Sequence, residues 1–385
     1  MTLKISGRGR VPPFIVMDVL RDANARAATG KDVLHLEVGQ PSTSAPAGVI
    51  AAAHAALACD VLGYTDALGL PALRAAVAAY YRDRYAVALD PARIVVTTGS
   101  SAGFILACLA AFEPGDKIAI CFPGYPAYRN ILTALDLVPV ELTAGADERY
   151  QVTLERLRTQ GQGVEGLIIA SPANPTGTMI GAADLAHLAA YCRDHGIRLV
   201  SDEIYHGITY ETAATTARAF GRDAIIVNSF SKFYCMTGWR LGWMLVPPDL
   251  ARSVECLAQN FYISPPALSQ FAVIPVFGCR AELDAHVVRY RANRDLLIST
   301  LSRAGLTRVA PADGAFYLYV DISSLTGGSE SFCRRLLAET GVAVTPGLDF
   351  DPINGGGWVR ISFAGSSEDI VEAARRLEKW LSRAS

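Results

Sequence analysis

The sequence predicts an α/β protein, with a large domain whose mostly parallel sheet is flanked by helices and a smaller α+β domain after it. Two observations lead there. The runs "RIVVTTG", "DKIAICFP", "EGLIIASP", "IRLVSDE" and "DAIIVNSF" are continuously apolar and bounded by turn residues. Runs without polar alternation belong to strands covered on both faces, as in a parallel sheet. Helical patterns such as "DLAHLAAYCRDHG" separate most of them. Residues 281–304 differ: Leu283, Val287, Leu296 and Leu297 recur at roughly helical spacing among many charges, which predicts a long amphipathic connecting helix. Beyond it, "GAFYLYVDI", "GVAVTPG" and "WVRISFA" predict the second, smaller sheet.

Composition narrows the function. The 385 residues carry 35 Lys and Arg against 37 Asp and Glu, and this near balance gives no general pull toward nucleic acid or an anionic membrane. The eight cysteines are scattered without a C-x-x-C pair, which argues against a zinc site or a disulfide framework and predicts a reducing cytoplasm. "GFILACLAAF" is too short to span a bilayer. The expectation is a cytoplasmic protein with no metal, no nucleic acid and no membrane among its partners.

Doubly wound sheets bind ligands at the carboxyl ends of their strands. Those ends carry a distinct set. Gly99-Ser100-Ser101-Ala102-Gly103 opens a helix after the first run, and Tyr125 follows the second in "PGYPAY". Asn174 lies in "SPANPTG", Asp202 and Tyr205 in "SDEIY", and Ser229, Lys232 and Arg240 in "SFSKFYCMTGWRLGW". Each alone has a plain structural role: an N-cap, a turn residue, a packed ring, a surface ion pair. The glycine pattern matches neither the nucleotide-triphosphate loop nor the dinucleotide fingerprint. Together the residues fit one ligand. A helix N-terminus with Ser100, Ser101, Ser229 and Arg240 suits a dianionic phosphate. Tyr125 suits a flat ring, Asn174 and Tyr205 a ring oxygen, Asp202 a cationic ring nitrogen, and Lys232 an aldehyde. That ligand is pyridoxal phosphate. Burial and nearby positive charge would lower the Lys232 pKa toward the reactive free amine.

These motifs resemble the class I/II pyridoxal-phosphate aminotransferases, of the aspartate-aminotransferase-like fold (fold type I). The resemblance runs from "LEVGQP" at 36–41 to "WVRISFAGSSEDIVEAARRLEKWL" at 358–381. It implies that Lys232, Asp202 and Tyr205 are catalytic. It also implies that Ser100, Ser101, Ala102, Tyr125, Asn174, Ser229 and Arg240 hold the cofactor. "YTDALGLPALR" is similar to the family's Y-x-x-x-x-G-x-x-x-L-R signature, which implies that Tyr64 reaches the phosphate of a neighbouring subunit in a homodimer with shared active sites. Arg360, in "GGGWVRISFA", matches the arginine that grips the substrate α-carboxylate, as a planar guanidinium does well. Gly39 and Asn174 lie beside that carboxylate by the same resemblance. The small domain is then built from both chain ends. The expected division is 1–38, packing with the small domain over the active-site entrance, 39–284, the cofactor-binding domain, and 285–385, the small domain.

The implied reaction is a reversible, ping-pong transfer of an amino group from an α-amino acid to a 2-oxo acid such as 2-oxoglutarate or pyruvate. Lys232 would move the Cα proton, while Asp202 keeps the ring nitrogen charged. Carbon–sulfur lyases, decarboxylases, acyltransferases and racemases of the same fold share the cofactor set. A regulatory sensor is disfavoured, since 38 residues before Gly39 leave no room for a DNA-binding domain. Arg8 or Arg10 could supply a second cation for a dicarboxylate, but Pro13, Phe14 and Ile15 in "GRVPPFIVMDVL" favour a neutral or apolar donor. His206, Glu203 and Cys235 lie near the site residues but are expected to pack or support, not to react.

Overall fold

The computed structural model describes residues 3–59, 61–325 and 327–384. Its strands are β1 (Leu34–His35), β2 (Ile94–Thr97), β3 (Lys117–Phe122), β4 (Val138–Thr143), β5 (Gly166–Ala170), β6 (Arg198–Asp202), β7 (Ile225–Ser229), β8 (Gly242–Leu245), β9 (Tyr317–Asp321), β10 (Val342–Ala343), β11 (Thr345–Pro346) and β12 (Trp358–Ser362). The first helices are α1 (Ile15–Ala28), α2 (Ala47–Cys59), α3 (Pro71–Tyr85), α4 (Gly99–Ala111) and α5 (Pro126–Ala134).

A seven-stranded sheet in the order β2-β8-β7-β6-β5-β3-β4 forms the centre. β4, β3, β5, β6 and β7 run parallel, while β8 lies antiparallel between β7 and β2. Its inner strands are buried along almost their whole length, so both faces need apolar side chains, and the sequence supplies Val, Ile and Leu without alternation. One face packs on Phe104, Leu106 and Cys108 of α4. The other packs on Leu185 and Leu188 of the helix Ala182–Asp194 and on Leu73 and Val77 of α3. All five sequence-predicted strands are present. Two were not expected, β4 and β8. β4 is an edge strand with Val138 at 44% exposure and Pro139 within it, so it lacks the buried apolar signature.

The smaller sheet is antiparallel, in the order β11-β12-β9, and Arg360 stands at the middle of its central strand. The long helix Arg280–Arg303 connects the two sheets without a break, and the expected boundary at 284/285 falls inside it. The two chain ends meet. β1 pairs in parallel with β10, and the amide groups that open α1 bond to Asp349.

Candidate active site

The carboxyl ends of β5, β6 and β7, the first turn of α4 and the start of α5 face β12 and α1 across one cavity. Gly39, Ser100, Ser101, Tyr125, Asn174, Asp202, Tyr205, Lys232 and Arg360 all line it. Sequence reasoning therefore finds nine residues that the fold brings to one place, from positions as far apart as 39 and 360.

Asp202 ends β6 and is buried. One carboxylate oxygen accepts from the amide of Ile204 at 3.0 Å, and the other accepts from the Tyr128 hydroxyl of α5. Burial raises its pKa to about 6, against the pull of those two hydrogen bonds and the charge of Lys232. A cation seated against it would restore the carboxylate.

Lys232 follows β7 and is partly buried. Its ammonium donates to the Gly39 carbonyl at 2.6 Å and lies about 6 Å from the ring centres of Tyr205 and Phe316. Burial first, then the charges of Arg360 and Arg240, lower its pKa to about 8, with Asp202 opposing. This is the environment the sequence predicts for a lysine that reacts as the free amine.

Arg360 is 2% exposed. One terminal nitrogen donates to Asn174 Oδ1 at 2.9 Å, and the other donates to the Glu37 carbonyl and to Thr345 Oγ1. Its Nε is buried without a partner. The guanidinium lies between the rings of Tyr317 and Phe350, at 4.4 and 4.6 Å from their centres. Among the described residues no carboxylate makes an ion pair with it. A buried cation held only by neutral groups is costly unless an anion joins it.

At the far side, Ser100 and Ser101 lie in the first turn of α4, where unpaired amides and the helix dipole favour an anion. Gly99 has φ of +76°, and a Cβ there would collide with the Arg240 guanidinium. Glycine thus lets that side chain reach the helix start. Arg240 donates to the Thr237 carbonyl at 3.0 Å and remains exposed. The donor set fits a phosphate at one end, a cationic ring nitrogen at Asp202 and an aldehyde at Lys232.

Four expected residues, Arg240, Ala102, Ser229 and Tyr64, do not line the cavity. Ala102 is buried within α4, and the Ser229 hydroxyl lies 2.8 Å from Ser231 Oγ and 3.2 Å from the Leu241 carbonyl. Tyr64 is 84% exposed and stands outside the cavity of its own chain. His206 is buried, with its ring nitrogens 2.8 Å from the Tyr85 hydroxyl and 3.0 Å from the Ser171 carbonyl, and burial lowers its pKa to about 3. Glu203 accepts from Thr216 and the Ala217 amide, and burial raises it to about 8. Cys235 is buried beside the Thr43 hydroxyl. None of these three lines the cavity.

The sequence did not single out Tyr128 or Tyr317. Tyr128 sits three residues after Tyr125 on α5, so helical spacing could have paired them. The Tyr317 hydroxyl is 2.8 Å from that of Tyr205 and fills the space beside Gly39. Among the described residues no cluster could hold a metal ion, and no helix is long and apolar enough to cross a membrane.

Residues 31–377 match the family model of aminotransferase class I and II. The chain belongs to this family. These aminotransferases carry an amino group from an amino acid to a 2-oxo acid such as pyruvate, and the family is generally pyridoxal-phosphate-dependent. This chain is 51% identical to a valine–pyruvate aminotransferase of Mycobacterium tuberculosis, over 99% of each protein. A crystal structure of an aminotransferase from Mycobacterium tuberculosis matches with a TM-score of 0.97 at 50% identity, covering 99% of this chain and 100% of that one. An aspartate aminotransferase from Thermus thermophilus with maleate matches with a TM-score of 0.93 at 30% identity, covering 98% and 100%. The family and the fold expected from the motifs are thus both borne out.

The cavity is tightly packed at Gly39. A Cβ built there would overlap the Tyr317 hydroxyl and crowd its ring. Gly39→Ala should destabilise the protein by about 1–3 kcal/mol, as overpacking does, and Tyr317→Phe in the same chain should recover part of it. Denaturant unfolding of both single variants and the double variant measures this; additive losses would mean that the two side chains do not meet.

Proposed function

We propose that this aminotransferase binds pyridoxal phosphate through Lys232 and moves the amino group of a small apolar α-amino acid, with valine as the leading candidate, to pyruvate. The observation that carries this is Arg360, a buried cation without a carboxylate partner among the described residues, sharing one cavity with Lys232 and Asp202. Arg360 and Asn174 take the substrate carboxylate, with Gly39 beside it. Ser100, Ser101, Ala102, Ser229 and Arg240 hold the cofactor phosphate, Tyr125 covers the ring, and Asn174 and Tyr205 meet its oxygen. Bound there, pyridoxal phosphate supplies an electron-withdrawing ring that stabilises the negative charge left on the substrate Cα.

The protein's own groups do the rest. Lys232, with its pKa lowered to about 8, would hold the cofactor, and its Nζ would serve as the base for the substrate Cα proton. Asp202 keeps a proton on the ring nitrogen by presenting a negative charge to it. Arg360 orients the substrate through two parallel donors and so fixes which Cα bond is aligned for cleavage. The donor class is supported by the cavity wall, where Phe14, Val16, Met17 and Ile131 present apolar groups. Lys232 and Arg360 are the cations lining it among the described residues, and Arg8 instead pairs with Asp136 at 3.5 Å. The relative named for valine and pyruvate agrees with that chemistry.

The reading includes a homodimer in which Tyr64 serves the neighbouring site. Val61, Tyr64, Phe261 and Ile263 are exposed at 98, 84, 55 and 53%. Gln270 ties their two segments together, since its amide bonds Thr65 Oγ1 and the Pro265 carbonyl, both at 3.0 Å. Exposed apolar side chains brought near one another in this way support an interface. The domain limits 1–38, 39–284 and 285–385 belong to the same proposal; β1 and the α1–Asp349 contact support the packing of 1–38 on the C-terminal part. So does a cytoplasmic location, in keeping with eight free cysteines.

Three experiments test it. Borohydride reduction of the holoenzyme should fix the pyridoxyl group on Lys232. Capture of pyridoxal phosphate by cofactor-free protein should quicken as pH rises through about 8 and then level off, because the neutral amine is the reactive form. A label on any other residue removes Lys232 from its role. Second, Arg360→Lys keeps the charge but loses the fork, so kcat/KM of the amino-acid half-reaction should fall about 10- to 150-fold with every donor. The visible absorbance of the resting enzyme should stay nearly unchanged. Release of pyruvate with ammonia or sulfide, without cofactor amination, would indicate a lyase. Third, Tyr64→Ala subunits mixed with Lys232→Ala subunits should regain activity, since the mixed dimer keeps one intact site. No recovery despite proven subunit exchange excludes the contact across subunits.

A further inference from the structure

We propose that Asp349 is a positioning residue for donor selectivity, acting through α1 to hold the apolar wall of the cavity against branched substrate side chains. This rests on the assignment of Arg360 and Lys232 to substrate and cofactor.

The first amides of a helix lack intrahelical partners, and Ser, Thr, Asp or Asn at the N-cap usually supplies one. α1 has Phe14 at that position, which offers no cap. The ring of Phe14 instead joins the cavity wall and packs edge-on against Tyr125, with centres 5.7 Å apart. The cap comes from the other end of the chain. Asp349 accepts from the Ile15 amide at 3.0 Å with one oxygen and from the Val16 amide at 3.1 Å with the other. A carboxylate there also meets the positive end of the helix dipole.

Asp349 is 2% exposed, so its charge is desolvated and its energy depends on those two amides staying in place. The next residue binds the site twice more. The Phe350 ring lies against the Arg360 guanidinium, and the Phe350 carbonyl accepts from the Gly124 amide at 3.0 Å, directly before Tyr125. One turn therefore sets the distance between the group that grips the carboxylate, the ring that covers the cofactor and the wall that meets the side chain. Phe14, Val16 and Met17 of that wall lie at or next to the capped amides. Alanine, with a single methyl group, would barely reach such a wall, whereas the branched side chain of valine would press on it.

The test compares valine and alanine half-reactions for wild type, Asp349→Ala, Asp349→Asn and Phe14→Ala, together with hydrogen exchange at the Ile15 and Val16 amides. Asp349→Ala should speed exchange at both amides. It should also lower the valine-to-alanine ratio of kcat/KM about tenfold, the scale of a hydrophobic contact of one or two carbons, with most of the loss in the KM for valine. Asp349→Asn keeps one acceptor oxygen and should fall between, and it carries the test if the alanine variant does not fold. Phe14→Ala should lower the ratio similarly, and adding Asp349→Ala to it should change the ratio little further. Faster exchange with an unchanged ratio, or equal losses for both donors, would make Asp349 a structural cap and overturn the proposal. A wild type that converts neither donor overturns the proposed function itself, and is told apart by that result alone.

Discussion

Arg360 is a permanent charge taken almost completely out of water, and the surrounding structure is arranged around the cost of keeping it there. A guanidinium cannot lose its proton to escape burial, so the protein must surround it with acceptors and ring faces. It does so from five separate segments: the Glu37 carbonyl before Gly39, Asn174 after β5, Thr345 in β11, Tyr317 in β9 and Phe350 after β11. The large and small sheets are thereby held together at the cavity. The protein supplies neutral groups and leaves out a carboxylate, so the site is stable enough to fold and still gains from an arriving anion.

The same charge shapes its neighbours. Burial, and then Arg360 and Arg240, bring Lys232 down to about 8, while burial raises Asp202 to about 6 against the hydrogen bonds from Tyr128 and Ile204 and the charge of Lys232. Each titratable group is thus held partway between two forms. Groups with such perturbed equilibria cluster at reacting centres because they cost little to switch. Glu203 and His206, buried just behind, are displaced from their usual ranges too, but their partners are interior hydroxyl, amide and carbonyl groups outside the cavity. Perturbation alone therefore does not mark the site; it does so here in combination with exposure to the cavity.

The legible parts of the molecule were those in which neighbours in sequence are also neighbours in space. β2, β3, β5, β6 and β7 showed as unbroken apolar runs because both faces are covered, and the groups at their ends follow within a few residues of each strand. β4, a partly exposed edge strand, carries no such run. β8 is short and immediately follows the Lys232 to Arg240 stretch, so its apolar character was hidden within a motif. Contacts across the chain were not legible. Tyr128 reaches Asp202 over 74 positions, Tyr317 reaches Tyr205 over 112 and Asp349 reaches Ile15 over 334. Nothing in the residues around Asp349 signals that it caps a helix at the opposite end of the sequence.

That last contact bears on how one scaffold can handle different amino donors. In the proposed function Lys232, Asp202 and Arg360 act on atoms common to every α-amino acid, so changing them would alter all substrates alike. On that proposal, selectivity comes from the part of the cavity that meets the variable side chain, where Phe14, Val16 and Met17 stand with Ile131 of α5. α1 is held along its length, by Asp349 at its first turn, by packing on β10 and β11 and by Arg26 donating to the Ala338 carbonyl, so a change in residues 14–17 is felt at the buried Asp349. A cationic side chain in that wall would suit a dicarboxylate; Phe14, Val16 and Met17 instead reward the burial of methyl groups, each worth about 0.8 kcal/mol when fully removed from water. The charged groups thus come from both sheets, Asp202 and Lys232 from the ends of β6 and β7 and Arg360 from β12, while Phe14, Val16 and Met17 of the wall come from the N-terminal segment.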